Sequence, residues 1–293
     1  MKQKILVAAA ILTLSLVVEN TTAQPLPDGY WSEQQAAEIL GKTRQVFLDP
    51  DLSALTPGEQ AAARKLIGAG HIINRLYEDS MHPQALSSKL TLQTLNHNDQ
   101  HSQSLLDLYY IFEGPIASTL DNQRVPFLPV AAEQPGKNLY PVAMSREKMD
   151  PILEARPELA GGLLDVRTVV RESSAENLKR DLAMLDHYPL LDGLHPGLRT
   201  RLEAMVSGQD NTAVYALPYS VRWAPEIMEI YELLNGASAD VAVDDPDLSA
   251  YLSLRARDLV SDNYEAGDAA WVRGRFKHLN AQIGSYEVYA DAL

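Results

Sequence analysis

Histidines, carboxylates and glycines are the residues of this chain that could do chemistry, and their spacing decides which of them are placed to do it. His97 and His101 stand four apart, the separation that puts two imidazoles on one helix face for a metal ion. Between them Asn98, Asp99 and Gln100 favour a turn over a helix interior, and no acid follows at metal-protease spacing. The pair therefore reads as a solvated connection between helices. His187, in Asp186-His187-Tyr188, and His195, in Leu194-His195-Pro196, each sit at the end of an element, where an imidazole can move protons or cap carbonyls. Neither is accompanied by a G-x-S-x-G elbow, and the chain has no cysteine, so a nucleophile of either kind lacks its usual setting. Gly161-Gly162 and Gly267 are not part of a phosphate loop. Asp240, Asp244, Asp245 and Asp247 lack calcium-loop spacing, and capping of a helix accounts for Asp245.

The last stretch, Arg275 to Leu293, alternates as a strand would, which sets Ile283, Ser285, Glu287 and Tyr289 on one face and Gly284, Tyr286 and Val288 on the other. Gly284 would let another backbone approach, and Glu287 could receive the amino terminus of a peptide; a plain edge strand accounts for the same residues. Such a strand is expected to find no partner after Leu293.

The elements that must position these residues are mostly helical. Ser32 with Gln35 forms a capping box before the stripe Ala36, Ile39, Leu40, Thr43 and Phe47. Thr56-Pro57-Gly58-Glu59 opens a second helix whose apolar positions are Ala62, Leu66, Ile73 and Leu76. Leu86–Leu95 and Leu105–Phe112 read as two more. Five prolines between Gly114 and Pro141 exclude helix over most of that span, yet Phe127, Leu128, Leu139 and Tyr140 are too apolar for a free linker, so it should pack over another element. Beyond it, Ser145 caps a short helix, Leu164–Arg171 reads as a strand, and Ser173-x-x-Glu176 caps a helix through Leu185. A helix spans Leu194–Val206, Pro225 starts one containing Ile227, Ile230 and Leu234, and Asp245-Pro246 starts another. The expected fold is α+β, predominantly helical with a minor mixed or antiparallel sheet.

Lys2 and Lys4 before the apolar run Ile5–Val18, with Thr21-Thr22-Ala23 ahead of Gln24, read as a signal peptide over residues 1–23. This fourteen-residue run falls short of the about 20 residues needed to span a membrane. The expectation is a periplasmic or secreted protein with no membrane association after cleavage. The remaining regions are 24–113, helical; 114–141, a Pro-rich connection; and 142–293, α+β. With 39 Asp and Glu against 25 Lys and Arg, the formal charge of −14 disfavours nucleic-acid partners, whose binding depends on neutralising phosphates.

Several blocks in order resemble the dipeptidyl-peptidase III family of zinc peptidases and its bacterial relatives. They are Glu113-Gly114-Pro115 with Leu120-Asp121 and Pro126-Phe127-Leu128; Asn138-Leu139-Tyr140-Pro141; Ala216-Leu217-Pro218-Tyr219; Arg255-Ala256-Arg257-Asp258-Leu259; and Ile283-Gly284-Ser285-Tyr286-Glu287-Val288-Tyr289-Ala290-Asp291. The resemblance implies a two-lobed metallopeptidase-like architecture around a wide cleft. It implies a substrate segment comprising Asn280, Gln282, Gly284, Tyr286, Glu287 and Tyr289, with Gln282 where the eukaryotic peptidases carry a tyrosine. The family's H-E-x-x-G-H motif is absent from this chain. The resemblance therefore implies the amino-terminal part of an exported zinc hydrolase, inactive alone. No cofactor would be bound by this chain alone; zinc would belong to a full-length parent. Its partners would be the missing carboxy-terminal lobe and a peptide or other small substrate. A periplasmic peptide-binding or interaction module without catalysis is the alternative.

Overall fold

In the computed structural model, residues 26–95, 99–142 and 144–286 are described. The expected signal peptide, Glu287 and Tyr289 lie outside them.

The chain enters through α1 (Glu33–Leu40), whose cap is the expected reciprocal bonding of Ser32 and Gln35. The helix stops at Leu40, so the stripe does not reach Phe47, which is 83% exposed. The long α2 (Pro57–Met81) starts at Thr56, with Glu59 bonding back to the cap. Then come α3 (Ala85–Thr94) and α4 (Gln100–Phe112). The Pro-rich span contains a hairpin, β1 (Ile116–Ser118) antiparallel to β2 (Arg124–Pro126). As expected it packs on neighbouring structure: Phe127 is fully buried against Trp31 and Phe112, at ring distances of 5.9 and 6.2 Å.

Next come α5 (Arg146–Ala155), a turn of 3₁₀ helix (Pro157–Leu159), α6 (Ala160–Leu163) and β3 (Thr168–Glu172). The strand is shorter than the alternation suggests, because Leu164 and Asp165 close the end of α6 through bonds to Ala160 and Gly162. The cap of α7 (Ala175–His187) is Ser174, which accepts from Asn177 N; Ser173 instead donates its hydroxyl to the Thr212 carbonyl at 2.6 Å. The expected helix over Leu194–Val206 is two helices, α8 (Pro189–Leu194) and α9 (Leu198–Val206). His195-Pro196-Gly197 breaks it, with Gly197 left-handed.

β4 (Val214–Pro218) pairs antiparallel with β3, Val169 opposite Leu217 and Val170 opposite Ala216. Val169 and Leu217 enter the main core, whereas Val170 and Ala216 enter a smaller cluster with Met149 and Leu163 on the other face. Then follow α10 (Tyr219–Arg222), α11 (Ala224–Val241), α12 (Pro246–Ser261) and α13 (Glu265–Arg273). The α11 helix lies between α2 and α12, and Ile230, Leu234 and Val241 on it are fully buried. Among the described residues no helix is long and apolar enough to cross a membrane.

The expected strand is not formed over Arg275–Tyr286. Its backbone donors go to side chains instead: Arg275 N to Asp247, Lys277 N to Asp245 and Ile283 N to the Tyr251 hydroxyl. A backbone tied down in this way cannot offer a regular ladder edge.

Candidate functional site

Three breaks in regular structure meet at one point. Ser220, fully buried, follows β4 in the first turn of α10; His195 sits in the break between α8 and α9; and Asp262 ends α12 in a left-handed conformation. The Asp262 carboxylate accepts from Ser220 N at 3.2 Å and from Ser220 Oγ at 2.6 Å. His195 Nε2 lies 2.7 Å from Ser220 Oγ, 3.2 Å from the Val260 carbonyl and 3.7 Å from Asp262 Oδ2. These are the residue types of a nucleophilic triad wired differently: the serine donates to the acid, and its oxygen has no open side. Burial lowers the His195 pKa, so the ring is neutral at neutral pH. Burial pushes Asp262 up to about 7, against the pull of the two Ser220 bonds and of Arg167.

Asp262 borders a cavity of about 160 Å³ whose walls are apolar side chains of α2 and α11, among them Ile73, Ile227 and Ile230. Tyr264, Gly284 and Ser285 complete its rim. The Arg167 guanidinium lies 4.1 Å over the Tyr264 ring and reaches the Ser285 carbonyl at 3.5 Å, while its buried Nε has no partner among the described residues. A carboxyl titrating near neutrality beside an apolar cavity can hold or release a proton, or hold a cationic group.

Of the residues expected to form a substrate segment, Gly284 reaches this cavity. A side chain there would meet the ring of Tyr286, 2.6 Å from the Cβ position, so the close approach comes from the chain's own tyrosine. Tyr286 donates to Asp268 at 2.6 Å, Asn280 accepts from Trp271 Nε1 at 3.0 Å, and Gln282 is exposed. The same patch explains the Arg255-Ala256-Arg257-Asp258-Leu259 block. Arg255 is 1% exposed, pairs with Asp268 at 2.6 Å and Asp258 at 3.4 Å, and is ringed by Tyr251, Tyr264 and Tyr286. Burial raises Asp258 to about 6. Gly267 is more than punctuation: its amide donates to Asp258, and a Cβ would fall 2.0 Å from that carboxylate.

The remaining candidates are engaged elsewhere. α4 begins at Gln100, and His101 Nε2 lies 2.8 Å from the Trp31 carbonyl; His97 lies outside the described residues. His187 packs edge-on to Tyr188. Asp245 caps α12 as expected, Asp240 pairs with Lys65, and Asp244 accepts from Thr56. Among the described residues no group of three or more His, Cys, Asp or Glu is placed to hold a metal ion. Sequence reasoning missed Ser220, Asp262 and Arg167. Their juxtaposition depends on three distant chain breaks that carry no local motif.

The chain thus has a helix-rich α+β fold with two small antiparallel sheets and a rim of polar groups on an apolar cavity. No family model and no curated protein matches it. Two solved structures do. Dipeptidyl-peptidase III from Corallococcus sp. strain EGB matches with a TM-score of 0.65 and 21% identity over 91% of this chain and 41% of that one. DPP III from Caldithrix abyssi matches with a TM-score of 0.57 and 22% identity over 76% of this chain and 34% of that one. The fold is therefore DPP III-like, and the chain spans well under half the length of the proteins it matches.

Proposed function

We propose that this chain forms one lobe of an exported hydrolase of the dipeptidyl-peptidase III type, acting on peptides or other small substrates. The single observation that carries the reading is a DPP III-like fold over 91% of the chain, matched to 41% of the longer protein. The metal of such an enzyme is assigned to sequence outside this chain, which lacks the H-E-x-x-G-H motif. What this lobe contributes is binding and orientation. Gly284 and Ser285 border the cavity, and Asp262 offers a carboxyl that can receive a substrate amine. Glu287, two residues beyond Ser285 in the sequence, is assigned the same class of contact.

The test begins with the source DNA downstream of the codon for Leu293. A continuing frame with H-E-x-x-G-H is expected, and co-expression of its product with this chain should give dipeptidyl-arylamide hydrolysis that a chelator abolishes. Chelator-sensitive hydrolysis by the present chain alone, or an assembled pair inert toward every dipeptidyl arylamide, would overturn the proposal. Export is tested separately: the amino terminus of protein recovered from the periplasm or medium should begin at Gln24, and an unprocessed cytoplasmic product would remove this part of the reading.

A further inference from the structure

Three arginines from three elements converge on one concave surface of a protein whose formal charge is −14. Arg171 comes from β3, Arg180 from α7 and Arg222 from the end of α10. They border a pocket of about 420 Å³, with Asn138 and Tyr140 on its rim and the exposed Glu172 at its outer edge.

Their internal pairing is incomplete. Asp181, 2% exposed, takes Arg171 Nη1 at 2.7 Å and the Tyr215 hydroxyl at 2.6 Å, and its next nearest cation is Arg180 Nε at 3.6 Å. Asp79 takes Arg222 Nη2 at 3.1 Å together with the Trp223 indole at 2.7 Å. Two carboxylates, Asp181 and Asp79, thus lie within ion-pair distance of the three guanidiniums, and Glu172 at the pocket edge pairs with none of them. Arg171 spends Nη1 on Asp181, Arg222 spends Nη2 on Asp79 and Arg180 donates Nη2 to Asn177 Oδ1 at 2.5 Å, which holds each planar fork and leaves other N–H groups for a ligand. The like charges are close enough to be felt: Arg171 is driven below its ordinary pKa by burial first, and Arg222 and Arg180 add to that effect. A fixed, under-neutralised arginine cluster matches the bidentate geometry of a carboxylate or phosphate, and its mutual repulsion is relieved when such a group binds.

We infer that the Arg171–Arg180–Arg222 pocket is a binding site for the oxyanion group of a small molecule, a carboxylate or a phosphate. The inference stands on these contacts and does not depend on the hydrolase reading.

The experiment is calorimetric titration of the full purified chain at low ionic strength with three probes: inorganic phosphate, an N-acetylated dipeptide with a free carboxyl terminus, and the amide of that dipeptide. Saturable binding of phosphate or of the free-acid peptide is expected, with the amide silent; whichever binds identifies the source of the oxyanion. Arg222→Gln and Arg180→Gln should each weaken it about tenfold or more, since a charge-assisted hydrogen bond is lost. Arg146→Gln, on a side chain 78% exposed and outside the pocket lining, should leave it unchanged. Should Arg222→Gln fail to fold, Arg180→Gln decides alone, because that guanidinium is about half exposed and its loss strands no buried carboxylate. Absence of binding by both anionic probes at millimolar concentration, or binding indifferent to both pocket substitutions, overturns the inference.

Discussion

Asp262 shows how one residue can make the fold sensitive to pH. Its folded pKa, about 7, lies above the ordinary 3.8 because burial penalises the charge. Between those values the folded chain holds a proton that the unfolded chain has released, so stability falls as pH rises through that window and levels off above it. The slope from this group alone is about 1.4 kcal/mol per pH unit. Asp262→Asn keeps an acceptor for Ser220 and removes the titration. Urea unfolding from about pH 4 to about pH 8 should show the wild-type chain losing ground to the variant as pH rises. Parallel curves would remove Asp262 as the cause. The residue also marks where sequence reading stops: His195 was legible as a histidine at an element end, but nothing adjacent to it names Ser220 or Asp262 as its partners.

At the scale of elements, legibility followed locality. The starts of α1, α2 and α12 could be read because the capping residue and its target lie within three residues, and all three caps are formed. Thr56 tests this. Its hydroxyl accepts from Glu59 N at 3.1 Å and donates to Asp244 on the far side of the α2–α11 contact. Thr56→Ala should cost about 1–2 kcal/mol in chemical denaturation, and a change within error would show the cap to be dispensable. Elements whose shape depends on distant partners were not legible. Val214–Pro218 is buried at nearly every position, so β4 has no alternation to betray it. In α13 Gly267 is the one buried residue, which leaves no apolar stripe. Arg275–Tyr286 has the alternation but not the strand, because Asp245, Asp247 and Tyr251 claim its amides. Of the described residues in the expected substrate segment, Gly284 is the one that borders the cavity.

For the whole molecule, 39 acidic against 25 basic side chains mean that the compact state carries net self-repulsion. Raising sodium chloride from low to physiological strength should raise the melting temperature by a few degrees, since the Debye length shrinks to about 8 Å. A melting temperature that falls would mean that the described ion pairs, among them Lys89–Glu78 and Arg171–Asp181, outweigh that repulsion. The interior itself is divided. Leu105, Leu108, Tyr109 and Phe127 form a core with α1 and α3, separate from the larger one around α2, α11 and α12. The seam between them is largely polar: Lys89 to Glu78, His82 to the Ala131 carbonyl, and Asn138 to the Asp79 and Ser80 carbonyls. Apolar contact makes neighbouring elements open together, whereas a hydrogen-bonded seam can exchange its partners for water. Amide hydrogens in α4 should therefore exchange through a partial opening that leaves the rest folded, while those in the middle of α11 wait for the whole chain to unfold.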